Sequence, residues 1–496
     1  MKNIYIILAI LITATFNIQG QNLSDALRFS TVTPGGTART IGAGSAFGAL
    51  GGDFGSISIN PAGLGTYRSS EFVLSPGLRM NEVSSIMRGF NESFVVDNQH
   101  VTLENLGVVL SHTPMGSDWY SSNLAIGFNK IANFNNDFFY SGKTLGTITE
   151  RFTFLADGLS PEQLDNFEAY PAYITGAIYD FDEDRLYETD FFDKPDQQVW
   201  KEQLVEQRGS INELTLTWGG NYKNKVNVGF GIGVPFFNYQ EVKEYSEEDF
   251  DNEIDFFDRL SFVEFLNTSA TGINFKGGVI FTPVRALRLG LAVQSPTWYF
   301  VSDDFSTDLT YAFTDNGGPQ EFSEASPFGS FSYRFTTPWR FTASAGTIYT
   351  LGELRGFFSA DLEYTDYTQG SFNLTSNSND PSDRTYSREL NTEINNQLAT
   401  ATTLRLGTEL AYQNIRFRGG YIIQQSIFAA DDKATEGNFS LGFGFRADRF
   451  FFDVGYVGQS RAEGYIPYLT NDPNREQLVE NDISNDNLVA TVGYKF

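Results

Sequence analysis

The chain has 496 residues, of which 41% are hydrophobic, 15% aromatic and 19% charged, a length and composition that exclude a disordered tail and a single small domain. Asp and Glu number 61 against 34 Lys and Arg, for a formal net charge of -27, which leaves no electrostatic basis for a broad phosphate-binding surface and excludes a nucleic-acid partner. No cysteine is present, so zinc–thiolate sites, iron–sulfur ligation, thiol catalysis and disulfides are excluded together.

Glycine and phenylalanine each occur 47 times and methionine only 4 times, a mixture that favours strands and turns over packed helices. The predicted fold class is all-β. In chain order, Lys2, the apolar run 4–12 and the small-residue exit 13–21 have the three-part layout of a signal peptide over 1–20, cleaved near Gly20 and Gln21. The run falls well short of the roughly 20 residues that cross a hydrocarbon core, and a lipid-anchored cleavage site needs a cysteine. Beyond residue 20 no apolar stretch is long enough for a helical span, so the mature chain is either soluble or crosses a membrane as strands.

Residues 21–66 do not alternate. Between Gly35 and Gly65 there are ten glycines in 31 residues, ending in Asn60-Pro61-Ala62-Gly63-Leu64-Gly65. Small residues bury too little apolar area to offset their own chain entropy, so this segment needs walls supplied by other residues. It is predicted to be a hatch, or plug, packed inside a barrel, with Asn60, Pro61, Ala62 and Gly63 as its gating bend, because Pro61 fixes its own φ and restrains the residue before it.

Residues 67–496 are predicted to form a transmembrane antiparallel β-barrel of about 14 strands. Leu287, Leu289, Leu291 and Val293 share one face and Arg288, Gly290, Ala292 and Gln294 the other; the same split recurs at 226–234, 404–413 and 439–446. One face is apolar and the other is Gly, Ser, Ala and Asn with an occasional charge, which is the lipid-out, lumen-in pattern of a membrane barrel rather than a water-facing sandwich. The strands are predicted at 69–80, 101–112, 121–132, 212–222, 225–240, 268–281, 286–313, 328–349, 354–368, 401–412, 415–427, 437–447, 449–460 and 486–496. Tight turns at 223–224, 282–285, 413–414 and 447–448 alternate with long connections at 133–211, 241–267, 369–400 and 461–485, as short periplasmic turns alternate with extracellular loops. The last strand ends on Phe496, resembling the terminal aromatic signal of outer-membrane insertion. Trp298, Tyr299, Phe300, Phe236, Phe237, Tyr239, Trp339 and 450–452 lie near strand ends and are predicted to form interfacial girdles.

No nucleophile elbow, dinucleotide fingerprint or phosphate-binding loop occurs. Ser111 and His112, the one Ser/His pair in reach, are strand neighbours and point to opposite faces, so no catalytic residues and no enzyme activity are expected. His100 and His112 make no haem motif, and no cofactor is expected. Segment 157–206 carries fourteen Asp and Glu against three Lys and Arg, but Arg185 stands where a calcium loop beginning at Asp180 needs glycine, so it reads as a solvated acidic loop and no metal site is assigned. Alternation points Lys276, Arg288, Arg405 and Arg446 into the lumen, either as partners for a ligand carboxylate or paired with inward Asp361, Glu363, Glu409 or Asp453.

The Asn60–Leu64 stretch after a Gly-rich segment, with 287–297, 337–346, 360–367 and 417–421 in order and at comparable spacing, resembles the FadL/TodX (OMPP1) family of outer-membrane transporters of hydrophobic compounds. The resemblance covers the predicted hatch and the C-terminal half well and 81–212 poorly. It implies a monomeric fourteen-stranded barrel closed by an N-terminal hatch, passing long-chain fatty acids or other hydrophobic molecules by diffusion and lateral exit through the wall, in the outer membrane of a Gram-negative bacterium of the Bacteroidota type. The partners it implies are a hydrophobic small molecule, outer-membrane lipid and lipopolysaccharide. The alternative is a related barrel that holds a protein partner through its extracellular loops, as carrier barrels of secretion systems do.

Overall fold

Period-two alternation becomes one closed antiparallel sheet. Neighbouring strands pair antiparallel all the way round, and the last, Val479–Lys495, returns to the first, Glu71–Met87, in register from Glu71↔Lys495 to Met87↔Val479. The result is a 14-strand barrel. A computed structural model describes residues 23–32, 35–194, 196–376, 380–431 and 433–496; the expected signal peptide, 1–20, lies outside them. No helix among the described residues is long and apolar enough to cross a membrane.

The outward row on each strand is apolar over the middle of the barrel, with Leu289, Leu291, Phe358, Leu406, Phe417, Leu441 and Phe443 all exposed. At the short-turn end it closes with Phe72, Tyr222, Tyr412, Phe450 and Phe496, the ring edge suited to a lipid–water interface. Positive φ at both Lys223 (51°) and Asn224 (54°) makes the tightest hairpin, a twist-matched two-residue turn.

Three expectations are corrected here. Predicted strands 286–313 and 328–349 are each two strands, Leu287–Gln294 with Trp298–Asp315 and Gly329–Thr336 with Arg340–Leu351. Proline has no N–H for the ladder, so Pro296 and Pro338 interrupt neighbouring strands at one level. Side chains and backbone bridge the break: Thr297 N donates to Thr337 Oγ1 (2.8 Å), Phe275 N to Ser295 Oγ (2.9 Å) and Thr337 N to the Thr297 carbonyl (3.1 Å). Loops 241–267 and 461–485 shrink, because Val226–Glu248, Phe257–Val284, Phe450–Tyr465 and Val479–Lys495 run beyond the apolar belt. Above the belt the outward row turns polar (Asn238, Gln240, Glu202) while the ladder continues, so the membrane pattern ends before the strand does. The long connections 133–211 and 369–400 hold structure of their own, a strand Asn136–Leu145 and helices Thr149–Ala156, Ala169–Thr175 and Pro381–Gln397.

At the long-loop end Phe152, Phe191, Tyr245, Phe257, Phe262, Tyr311 and Tyr468 form an apolar core that packs the 148–199 connection onto the strand extensions. Lys201 is buried within this end; its Nζ donates to the Leu145 carbonyl (2.8 Å) and Tyr468 Oη (3.3 Å). Burial pushes its ammonium down to about 8, with Glu247 opposing the shift. Between about pH 8 and the unfolded value of about 10.4 the unfolded chain holds a proton the folded chain has shed, so stability rises with pH across that window. Urea unfolding of this end, followed by Trp200 fluorescence, is expected to show a midpoint that climbs from pH 8 to 10.5 more steeply in the wild type than in Lys201→Met. Equal slopes would mean that Lys201 stays charged when buried.

Candidate functional site in the barrel lumen

Segment 35–66 is almost wholly buried, and its neighbours lie all around the wall. Asn60 organises its turn: Oδ1 accepts from Ala62 N (3.0 Å), capping the 3-10 helix Pro61–Thr66, and Nδ2 donates to the Gly48 carbonyl (2.7 Å). Asp53 Oδ1 accepts from Thr37 Oγ1 (2.6 Å), Thr40 Oγ1 (2.7 Å) and Gly55 N (2.9 Å). The glycines on the inward face of the strands now have a reason. A side chain at Gly229 would overlap Pro61, one at Gly278 would overlap Asn60, and one at Gly455 would overlap Ala38. Gly44, at φ 63°, stands against the Leu406 carbonyl and Gly420 Cα, a left-handed close approach open only to glycine. Backbone thus touches backbone.

Buried main-chain groups need partners, and inward polar residues supply them. Ala38 N donates to Thr491 Oγ1 (2.7 Å), Gly44 N to Ser440 Oγ (2.9 Å) and Gly48 N to Asp361 Oδ2 (2.8 Å), while Ser121 Oγ donates to the Gly65 carbonyl (2.7 Å) and Asn123 Nδ2 to that of Leu64 (2.7 Å). An ionic chain adds to this. Arg39 meets Glu409 (3.3 Å), Glu409 meets Arg418 (2.7 Å), Arg418 meets Asp453 (2.8 Å) and Asp453 meets Arg446 (2.9 Å).

The four lumen cations predicted from alternation are spread apart. Lys276 pairs with Glu213 at 2.5 Å, a partner on a strand 63 residues away that alternation did not single out. Arg446 belongs to the ionic chain, and Arg288 Nη1 donates to the Leu50 carbonyl (2.5 Å). Arg405 donates twice to Glu363 Oε2 (3.0 Å each), which also faces Arg340 (3.7 Å). The buried Nε of Arg405 has no hydrogen-bond partner among the described residues, and it shares this with other lumen atoms such as Arg288 Nε, Ser344 Oγ and Asp361 Oδ1.

Arg340, Arg405 and Glu363 line one side of a cavity of about 70 Å³ whose other walls include Val32, Ile59, Ile131 and Val293. A benzene-sized guest needs a cavity of about 150 Å³, so the space holds a few waters and no acyl chain until a wall moves. Helix Leu23–Ser30 packs on the wall nearby. Its Phe29 ring lies 4.5 Å from Phe237 and 5.2 Å from Phe335, and Arg340 donates to the Ser30 carbonyl. This corrects the predicted girdle: Trp298, Phe300, Phe236, Trp339, Phe450 and Phe452 face outward, but Tyr299, Phe237, Tyr239 and Phe451 are buried inside.

The wall has a seam. Ser93–His112 pairs with Trp119–Asn133 only from Asn105↔Asn129 to His112↔Ser122. Toward the long-loop end 93–103 pairs with Glu71–Met87 alone, while Asn136–Leu145 pairs with Gln198–Tyr222 alone. The two unladdered edges lie side by side and are joined by side chains, Asn98 Nδ2 donating to Asp137 Oδ2 (2.7 Å), Asn135 Nδ2 meeting His100 Nε2 (2.9 Å) and Phe94 stacking edge-on to Phe139 (5.2 Å). Opening it costs a few hydrogen bonds instead of a ladder.

Ser111 Oγ donates to Asn123 Oδ1 (2.9 Å) and makes no pair with His112. Asp180, in the acidic loop, accepts from Asp184 N (3.2 Å) and Arg185 N (3.0 Å), its own turn.

A closed antiparallel barrel with an apolar outward row, its N-terminal segment 35–66 buried against the inner wall, defines the class. No protein-family model and no curated protein matches the chain. Solved structures do: the toluene transporter TodX of Pseudomonas putida, at 11% identity over 93% of this chain and 99% of that one, TM-score 0.51, and a FadL homologue of Pseudomonas aeruginosa, at 11% identity over 94% and 100%, TM-score 0.52. At that identity the likeness is one of fold. The outer membrane protease OmpT from Escherichia coli also matches, with a TM-score of 0.21, too low to bear on activity.

Proposed function

We propose that the chain is an outer-membrane channel for passive uptake of hydrophobic compounds, long-chain fatty acids foremost, with segment 21–66 as its hatch. The observation that carries this reading is the small cavity between hatch and wall, lined by Val32, Ile59, Ile131 and Val293 together with the cations Lys130, Arg340 and Arg405, beside a wall seam without a ladder. The fold likeness to a toluene transporter and a FadL homologue supports it. A carboxylate takes the Arg405 and Arg340 side and its acyl chain takes the Ile59 and Ile131 side; the seam between 93–103 and 136–145 lets the molecule pass through the wall where the strands leave the apolar belt. Asn60, Pro61, Ala62 and Gly63, a turn seated on the wall glycines Gly229 and Gly278, serve as the pivot, and the stretch around Leu23–Ser30 moves.

The test is vesicle uptake of oleate and of its methyl ester. Wild type carries both. Arg405→Gln slows oleate by roughly tenfold or more, the value of a hydrogen bond to a charged group, and leaves the ester unchanged. A short cross-link between Asn98→Cys and Asp137→Cys blocks both. If neither compound passes the uncross-linked barrel faster than an unrelated barrel, the channel reading fails. The alternative, a barrel that holds a protein partner, draws on Phe181, Phe192 and Phe250 standing exposed at the long-loop end; failed uptake together with a stoichiometric co-purifying protein would favour it.

A further inference from the structure

On the outer face of the wall, two adjacent rungs cross four neighbouring strands. One reads Asn238, Ser269, Ser302, Ser332 and the next Phe236, Thr271, Phe300, Arg334. The rung nearer the barrel middle contains Ile273 and Trp298, and beyond the serine rung the outward row is Gln240, Asn267 and Asp304. The boundary between apolar belt and polar extension therefore runs through these two rungs, where lipid headgroups lie. Short side chains leave a hollow of about 500 Å³ there, floored by Ser269, Thr271, Ser302 and Ser332 between the exposed rings of Phe236 and Phe300, within the range of ligand pockets.

One cation serves it. Arg334 lies over the Phe300 ring, 4.9 Å from its centre, and has no carboxylate within ion-pair distance among the described residues; Asp304 is four residues further along the strand from Phe300, about 13 Å at 3.3 Å per residue. In a chain of net charge -27, an unpaired outward arginine at headgroup level is matched to an anion in the membrane. Lipid must cover a hollow on a lipid-facing wall, and its lining is that of a phosphosugar, with a guanidinium for the phosphate, a rung of hydroxyls for sugar hydroxyls, and aromatic rings against the sugar face.

We propose that this hollow seats the phosphorylated sugar headgroup of a glycolipid from the leaflet at the long-loop end, its phosphate on Arg334 and its sugar against the serine rung. The site rests on the barrel crossing a bilayer and not on what passes through the lumen, so uptake and lipid binding fail independently. The experiment titrates the detergent-solubilised full barrel with lipid A, its dephosphorylated form and phosphatidylglycerol, reading bound lipid by native mass spectrometry. Lipid A is expected to bind most tightly. Arg334→Gln weakens lipid A about fivefold, as one arginine at a membrane surface is worth, and leaves the dephosphorylated form unchanged. Ser302→Trp, which fills the hollow, removes saturable binding of both, and Arg285→Gln, on an exposed turn, changes nothing. Unchanged lipid A binding in both Arg334→Gln and Ser302→Trp barrels that remain folded would overturn the proposal. So would phosphatidylglycerol binding as tightly as lipid A, since the serine rung would then select nothing.

Discussion

Gly229→Val is expected to raise the ionic conductance of the barrel severalfold without unfolding it. Gly229 lies in a regular strand, where valine suits the backbone, but its added carbons meet the Pro61 carbonyl and the Ala62 amide, which are main chain and have no rotamer to yield. Overpacking of this kind costs about 1–3 kcal/mol, and the cost falls on the seated form alone because the strand without the segment is unstrained. Such a bias shifts the seated population by roughly five- to a hundredfold, at a factor of ten per 1.4 kcal/mol. Gly278→Val, which meets Asn60, acts on the same pivot and is expected to compound the effect. Gly277→Val next to it faces outward, with only Val293 in contact, and serves as the control. Planar-bilayer recording checks the outcome; a folded Gly229→Val barrel with wild-type conductance would show that segment 35–66 does not occlude the pore.

Arg418→Met is expected to give the largest loss of stability of any single lumen substitution, about 3–5 kcal/mol, the cost of leaving buried carboxylates without their partner. The Arg418 side chain is 0% exposed and holds Glu409 at 2.7 Å and Asp453 at 2.8 Å. Arg39 and Arg446 remain at the two ends of the chain of charges, but each meets only one of those carboxylates. Urea unfolding in lipid vesicles measures the change. A loss below about 1 kcal/mol in the single variant, the value of a solvated pair, would mean that water reaches these groups.

Much of the barrel is legible in the chain. The row Leu287, Leu289, Leu291, Val293 faces outward as alternation requires, and the turn at Lys223 and Asn224 is where two strands meet. The breaks at Pro296 and Pro338 are written in the residues as well, yet a continuous apolar row on both sides conceals them. For the site the position is reversed. Asn60 and its neighbours are recognisable, and Arg405 points inward as expected, but Glu213 beside Lys276 and the Arg39 end of the ionic chain come from remote parts of the sequence. Tyr299 and Phe237 look like girdle residues until Phe29 is found packed against them.

By itself the sequence determined most of the strands, their outward apolar side and the dependence of the Gly-rich segment on outside walls, because the surroundings of a barrel impose one rule on every outward position. The lumen has no such rule. Each inward residue meets another part of the same chain, so only the tertiary structure decided which cations are paired, why inward glycines recur, and where the ladder stops to leave a seam.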